Sequence, residues 1–409
     1  MRRRSAWNAS PCRNGCRVDT VPQPAPLCPH LPNCVGCALI GRPYGEQLCF
    51  KQARVRQAFS RYPSLATIDV PAVIGSPRAF GYRNQVKLVA RRARRGLLLG
   101  IYRPQSHQVI DITQCPVHLP LINRVLAKTR EVLERFEVPV YDERTHTGNL
   151  RYVVVRVSQW TKRAQVILVT HDRALPRTRQ LVAQLQRVPG VVSVVQNINA
   201  EAGNVILGSA FVPLTRETAL IERIGFLKLK TQAGAFLQAN ITVAHKLYER
   251  ALEWAAPTAD DVAVDLYCGA GALTFYLATA AKHIYGIEES LRAVIDAKAN
   301  TRLNGFHNVR FYAGEVAGIL PELAQRLGKI DVMTLNPPRK GADPAARAAI
   351  SACVPRRLVY ISCDPDTLAR DLDWFAGLGY RVVQVQPFDL LPQTEHVECV
   401  AALARAGDS

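Results

Sequence analysis

The second half of the chain alternates short apolar runs with stretches of helical spacing, and this rhythm constrains the fold more than any other feature. Strands are expected at 262–267, 283–288, 309–313, 331–336, 357–363, 381–387 and 397–403. Helical patterns lie between them, running to 281, to 304, on from 320, and over 367–377. A strand, a helix of about 10–15 residues and another strand bring the chain back in the same direction, so parallel pairing in an open α/β sheet is predicted. Ligands of such sheets bind outside the carboxyl ends of the strands. The notable polar residues of this half fall at those ends.

The first end reads Val264-Asp265-Leu266-Tyr267-Cys268-Gly269-Ala270-Gly271. Glycines where a strand turns into a helix let backbone approach a ligand, and the helix start favours negative charge. Glu288 closes the next strand, placed to accept both hydroxyls of a ribose. A bare Gly-x-Gly marks many tight turns; with the Asp before and the Glu after, it points to a nucleoside cofactor. The third glycine of the dinucleotide fingerprint is missing, which favours S-adenosylmethionine over NAD.

The fourth strand ends Leu335-Asn336-Pro337-Pro338-Arg339-Lys340-Gly341. Two prolines cannot continue a ladder, so Asn336 sits in a stiff turn where its amide can meet a base edge or the cofactor. An ordinary turn between solvated cations is the plain alternative. The fifth ends Ser362-Cys363-Asp364-Pro365, putting a thiol at a helix start, where dipole and backbone donors are expected to lower its pKa. Glu398 opens the last strand, and its residues alone fit a half-exposed edge acid as well as a base beside Cys363.

The region 65–225 reads as mixed and strand-rich, with β-branched runs at 85–90, 153–158, 165–170 and 191–196 and helical spacing at 121–136 and 177–188. Ahead of it, Cys28, Cys34 and Cys37 are separated by five and two residues in a Gly- and Pro-rich loop. A loop this tight lacks the apolar neighbours of a core, so the thiols read as ligands for zinc or an iron–sulfur cluster. Cys115, followed by Pro116, is the preferred fourth ligand and Cys49 the other candidate. Residues 1–27 read as a flexible tail whose Cys12 and Cys16 are either incidental or assist metal traffic.

The formal charge is +19, from 52 Lys+Arg against 33 Asp+Glu, and makes nucleic acid the first candidate partner and an anionic membrane surface the second. The segment 78–87, with Arg91, Arg92, Arg94 and Arg95, interleaves cations with Phe80 and Tyr82, as a surface for phosphates and unpaired bases would. The longest uncharged run, 266–281, is 16 residues with two glycines inside, short of the roughly 20 a membrane span needs. A cytoplasmic protein with reduced thiols is expected.

Together these motifs, with Ala235-Phe236-Leu237-Gln238-Ala239-Asn240, make the stretch 28–404 similar to the RNA uracil-C5 methyltransferases. The chain most resembles the bacterial iron–sulfur enzymes that act on 23S ribosomal RNA. The resemblance implies a C-terminal Rossmann-like class I methyltransferase sheet at 230–409 and an α+β RNA-binding unit with a cysteine-ligated [4Fe-4S] cluster at 28–229. It implies that Gln238, Tyr267, Gly269, Glu288 and Asn336 contact S-adenosylmethionine, that Cys363 is the nucleophile forming a covalent adduct with uracil C6, and that Glu398 is the base. Cys28, Cys34, Cys37 and Cys115 would hold the cluster, and the partner would be 23S ribosomal RNA, met by a monomer away from membranes. The family often has Asp where this chain has Asn336, and its longer members carry an N-terminal barrel for which no strand-rich segment precedes Cys28. Both features resemble the shorter subfamily, while the Cys-x5-Cys spacing resembles the longer. Rival readings are a transfer-RNA methyltransferase, a radical iron–sulfur methylase and a non-catalytic RNA-binding module.

Overall fold

The computed structural model describes residues 28–405 except 95, 113, 202 and 204; the tail 1–27, with Cys12 and Cys16, and Arg95 lie outside the described residues. Among the described residues the first element is helix α1 (Tyr44–Phe59), followed by β1 (Gln85–Ala93), β2 (Gly96–Tyr102), β3 (Val109–Asp111), α2 (Pro120–Arg135), β4 (Leu150–Val157), β5 (Ala164–Thr170), α3 (Thr178–Gln186), β6 (Val191–Ile198) and β7 (Ala210–Pro213). These seven strands form one sheet in the order β3-β2-β1-β4-β5-β6-β7. Its buried strands β4 and β5 are β-branched over about half of their length, which suits pleated surface covered on both faces. Helices α2 and α3 pack Ile122, Val125, Leu126, Leu181 and Leu185 onto one face.

A hairpin, β8 (Ala219–Ile224) and β9 (Leu227–Gln232), leads to α4 (Ile241–Ala255) and the second sheet. That part runs β10 (Val262–Leu266), α5 (Ala272–Ala278), β11 (His283–Glu288), α6 (Leu291–Asn304), β12 (Val309–Ala313), α7 (Val316–Leu327), β13 (Val332–Leu335), α8 (Pro344–Ala352), β14 (Arg357–Ser362), α9 (Pro365–Ala376), β15 (Tyr380–Phe388) and β16 (Glu398–Arg405). The strand order is β12-β11-β10-β13-β14-β16-β15. Strands β10 to β14 pair in parallel as the alternation predicts, whereas β16 pairs antiparallel with both β14 and β15. The short return from β15 explains the difference: antiparallel neighbours accept a short connection, and parallel ones need a crossover.

Strand parity sorts the core. Val264, Leu266, Met333, Leu335, Leu358 and Tyr360 face α7, α8 and α9, while Ala263, Val332, Val359 and Ile361 face α4 and α5. Helix α1 joins the first of these faces through Val55, Ala58 and Phe59, although it precedes the whole first sheet. The exposed N–H groups of β9 find an unusual partner in α6. Asp296, Asn300 and Asn304, four residues apart on one helix face, accept from the backbone N–H of Gln232, Lys230 and Lys228 at 2.8, 2.7 and 2.9 Å. The two Asn amides donate back to the carbonyls of Lys230 and Lys228, so side chains complete the ladder a third strand would have supplied.

Candidate active site

The strand order reverses between β10 and β13, which opens a crevice at their carboxyl ends. Asp265, buried at the end of β10, accepts from Thr274 Oγ1 of α5 and Thr334 Oγ1 of β13, both at 2.6 Å. Burial still raises its carboxyl to about 6. Tyr267 follows with φ at 59°, a left-handed conformation costly for an aromatic residue. Gly269 has φ at 55°, and a Cβ there would project into open space, as backbone lining a ligand cradle would. Glu288 spans the turn, accepting from Gly269 N at 3.0 Å and Ser290 N at 2.9 Å. Each of its oxygens keeps a second lone pair for a ribose hydroxyl.

The Pro337-Pro338 turn is fixed from beneath. Buried Asp371 of α9 accepts from Ala342 N at 2.9 Å and Tyr360 OH at 2.6 Å and pairs with Arg347 and Arg370. Gly341, with φ at 79°, passes so close that a Cβ would lie 2.5 Å from Asp371 Oδ2. Asn336 starts this turn half-buried, its N–H donating to Leu266 O at 3.3 Å. The structure therefore gathers Tyr267, Gly269, Glu288 and Asn336 around the ends of β10, β11 and β13.

Cys363 and Glu398 come together because β16 runs antiparallel. Ser362 pairs with Cys399 in the ladder, so the next residue of β14 and the residue before Cys399 meet at the same edge. A parallel β16 would have put Glu398 at the opposite end of the sheet. Glu398 keeps some accessible surface but is otherwise enclosed by protein, and that burial raises its carboxyl to about 7, with Arg339 opposing. The thiol of Cys363 is raised as well, by burial first and then by Glu398, while Arg339 pulls it down. The sequence expectation of a lowered thiol is thus corrected. A helix start contributes only about 0.3–1 kcal/mol, less than burial beside a carboxylate removes. His396 lies against the Arg339 guanidinium, with ring nitrogens at 3.2 and 3.1 Å. Burial and the surrounding cations depress its pKa to about 4, so the ring is neutral.

Gln238 is buried on the α4 side, where its side chain is in hydrogen-bond contact with the Tyr248 hydroxyl, and Tyr248 feels both Asp265 and Glu398. Arg339 is visible in the sequence only as part of the Pro-Pro string. Tyr248 and His396 carry no signal there, since nothing local shows which way they face.

Within the segment 78–87, Tyr82 departs from the predicted stacking surface. Tyr82 is 2 % exposed, and its hydroxyl donates to Pro392 O at 2.9 Å, so it cannot stack on a base. Arg83 instead faces the cysteine loop. Cys28, Cys34, Cys37 and Cys115 are half-buried, free thiols. The Cys37 thiol is pushed to about 12, chiefly by burial, with Cys115, Cys34 and Cys28 adding and Arg83 opposing. The Arg83 Nε–H and His30 Nε2 beside them are buried without partners. Among the described residues no group of three or more His, Cys, Asp or Glu closes to the geometry of a metal site. The four thiols share one neighbourhood in an open arrangement. No helix among the described residues is long and apolar enough to cross a membrane.

The sequence pattern that defines the family described as tRNA (Uracil-5-)-methyltransferase matches residues 43–406. The chain belongs to this family. The chain is 43% identical over 381 residues to the uncharacterized RNA methyltransferase GSU1452 of Geobacter sulfurreducens, covering 93% of this chain and 77% of that one. It is 37% identical over 384 residues to an uncharacterized RNA methyltransferase of Clostridium tetani, covering 94% and 83%. Its fold matches that of the tRNA (uracil-54, C5)-methyltransferase of Pyrococcus abyssi, solved with S-adenosyl-L-homocysteine, at a TM-score of 0.72 and 24% identity over 91% of this chain and 86% of that one. Membership makes the protein an RNA methyltransferase with S-adenosylmethionine as methyl donor.

Proposed function

We propose that the protein methylates C5 of a uridine in 23S ribosomal RNA. The observation that carries the chemistry is the pairing of Cys363 with Glu398 at one sheet edge beside the cofactor crevice. Uracil C5 is too weak a nucleophile to take a methyl group unaided. In this reading the Cys363 thiolate forms a bond to C6, which moves electron density to C5. C5 would then take the methyl carbon of a bound S-adenosylmethionine, the new C5–C bond forming as the sulfonium S–C bond breaks, with S-adenosylhomocysteine as the leaving group. Glu398 then takes the C5 proton, the C5–C6 double bond re-forms, and the C6–S bond breaks to return the thiolate. A carboxyl near 7 suits this proton transfer at neutral pH. Arg339, facing both groups, favours their charged forms. Gln238, Tyr267, Gly269, Glu288 and Asn336 are assigned to the cofactor, with Glu288 on the ribose. The uracil must leave its stack to reach a buried thiol, so a splayed or looped uridine is the expected target.

Cys28, Cys34, Cys37 and Cys115 would hold a [4Fe-4S] cluster. Four thiols in one neighbourhood with the Arg83 cation beside them are the donor chemistry of an anionic thiolate-ligated group. Such a cluster would supply folding energy to the cysteine region and has no step in methyl transfer.

The ribosomal assignment rests on the resemblance of the cysteine loop to the iron–sulfur ribosomal-RNA enzymes and of Asn336 to the shorter ones among them, although the Cys-x5-Cys spacing resembles the longer. A transfer-RNA substrate is the second reading, favoured by the Pyrococcus abyssi fold neighbour, whose substrate is a transfer RNA. Labelled methyl transfer to separated ribosomal and transfer RNA from a methylase-deleted strain decides between them. Label in 23S RNA supports the first reading, label confined to transfer RNA replaces it with the second, and label in neither overturns both.

A further inference from the structure

The segment from Asp389 to His396 connects β15 to the strand that opens with Glu398, and helix α1, more than 300 residues away in sequence, grips it along its length. Lys51 Nζ lies 2.5 Å from Asp389 Oδ1, with both side chains fully buried, and donates again to Leu391 O at 3.1 Å. Tyr44 OH donates to the other Asp389 oxygen at 2.8 Å. Gln47 and Gln393 form a reciprocal buried pair: Gln47 Nε2 donates to Gln393 Oε1 at 3.0 Å, and Gln393 N donates to Gln47 Oε1 at 2.9 Å. Gln393 itself is left-handed, with φ at 71°. Its carbonyl accepts from Leu39 N, two residues beyond Cys37, at 2.9 Å.

An ion pair taken wholly out of water is weak as a source of stability, because desolvation offsets the attraction. A left-handed non-glycine residue persists only where its surroundings over-determine it, and such residues gather at functional sites. Both devices occur here on the one segment that delivers the base. We propose that Gln47, Lys51 and Gln393 are positioning residues, which hold this strap in the register that sets Glu398 against Cys363. All three are buried and act through Glu398, and the inference rests on the base role proposed above.

Loosening the strap acts on the last chemical step. Gln47→Leu removes both hydrogen bonds of the pair, and Gln393→Gly removes the side-chain one while keeping the backbone N–H and tolerating positive φ. Each variant is assayed with S-adenosylmethionine and unmethylated ribosomal and transfer RNA from the methylase-deleted strain, beside wild type and Glu398→Gln. The expected result is a kcat lower by roughly 100-fold, the scale of an ångström-sized misplacement. KM for RNA stays unchanged, and a methylated RNA–protein adduct that survives denaturing gels builds up. The double variant falls well short of the product of the two single losses, because the side-chain bond lost in Gln393→Gly is already lost in Gln47→Leu. Wild-type turnover in both variants overturns the proposal, and so does loss of turnover without adduct, which marks general disruption. If Glu398→Gln traps adduct and the strap variants do not, positioning alone fails. If wild type methylates neither RNA and Glu398→Gln traps nothing, the functional reading fails first.

Discussion

Replacing Glu398 with Gln is expected to stabilise the protein at alkaline pH while abolishing turnover. The carboxyl is held at about 7 in the folded chain against an ordinary value of 4.5, with burial the first cause. A raised carboxyl binds its proton more tightly when folded, so its contribution to stability is intact below 4.5 and lost as pH rises through about 7. At about 1.4 kcal/mol per tenfold change in proton affinity, that gap corresponds to about 3 kcal/mol at pH 8. The accessible surface of Glu398 at the cleft and the Arg339 guanidinium beside it reduce this to about 1–2 kcal/mol. Gln has nearly the same shape and no charge, so it escapes the penalty at pH 8 and gains next to nothing at about pH 4. Thermal melts of the two proteins at both pH values test this. The variant should melt roughly 1–3 °C higher at pH 8, and together with wild type at about pH 4. Equal melting at both pH values, or a variant less stable at pH 8, would refute the buried-carboxyl argument.

The same groups set the pH profile: kcat/KM should rise through about pH 7 as Glu398 ionises, and continue upward as the raised Cys363 thiol follows. A profile flat from pH 6 to 9 contradicts this. Cys363→Ala should abolish methylation yet leave S-adenosylmethionine affinity unchanged by calorimetry. Asn300→Ala strips the middle rung between α6 and β9, leaving the N–H and C=O of Lys230 unpaired. It should cost about 1–3 kcal/mol in denaturant unfolding. Cys37→Ser should lower the iron content of anaerobically purified protein and destabilise the cysteine loop, with iron at wild-type levels as the contrary result.

The strand–helix rhythm made the parallel part of the second sheet legible, because strands between helices have few alternatives. The antiparallel insertion of β16 was not legible, since the direction of a strand is absent from its own residues. The meeting of Cys363 and Glu398 depends on that direction. Helix α1 escaped notice for a related reason: its buried face includes Gln47, Lys51 and Gln52, whose partners lie at the far end of the chain, so its apolar periodicity is broken. Tyr82 misled in the opposite sense. An aromatic among cations fits an RNA surface, and only the tertiary bond to Pro392 reveals a buried anchor. The thiol of Cys363 was misjudged because a helix start is visible in sequence, whereas burial and an adjacent carboxylate are not.

The central claim is a covalent bond between Cys363 and the target uracil, released by Glu398. The most direct measurement is mass spectrometry of nuclease- and protease-digested Glu398→Gln protein after incubation with RNA and S-adenosylmethionine. The account predicts a Cys363 peptide carrying a 5-methylated uridine fragment, absent when Cys363 is also replaced by Ala. An unmodified Cys363 peptide, or a fragment carried on another cysteine, would contradict it.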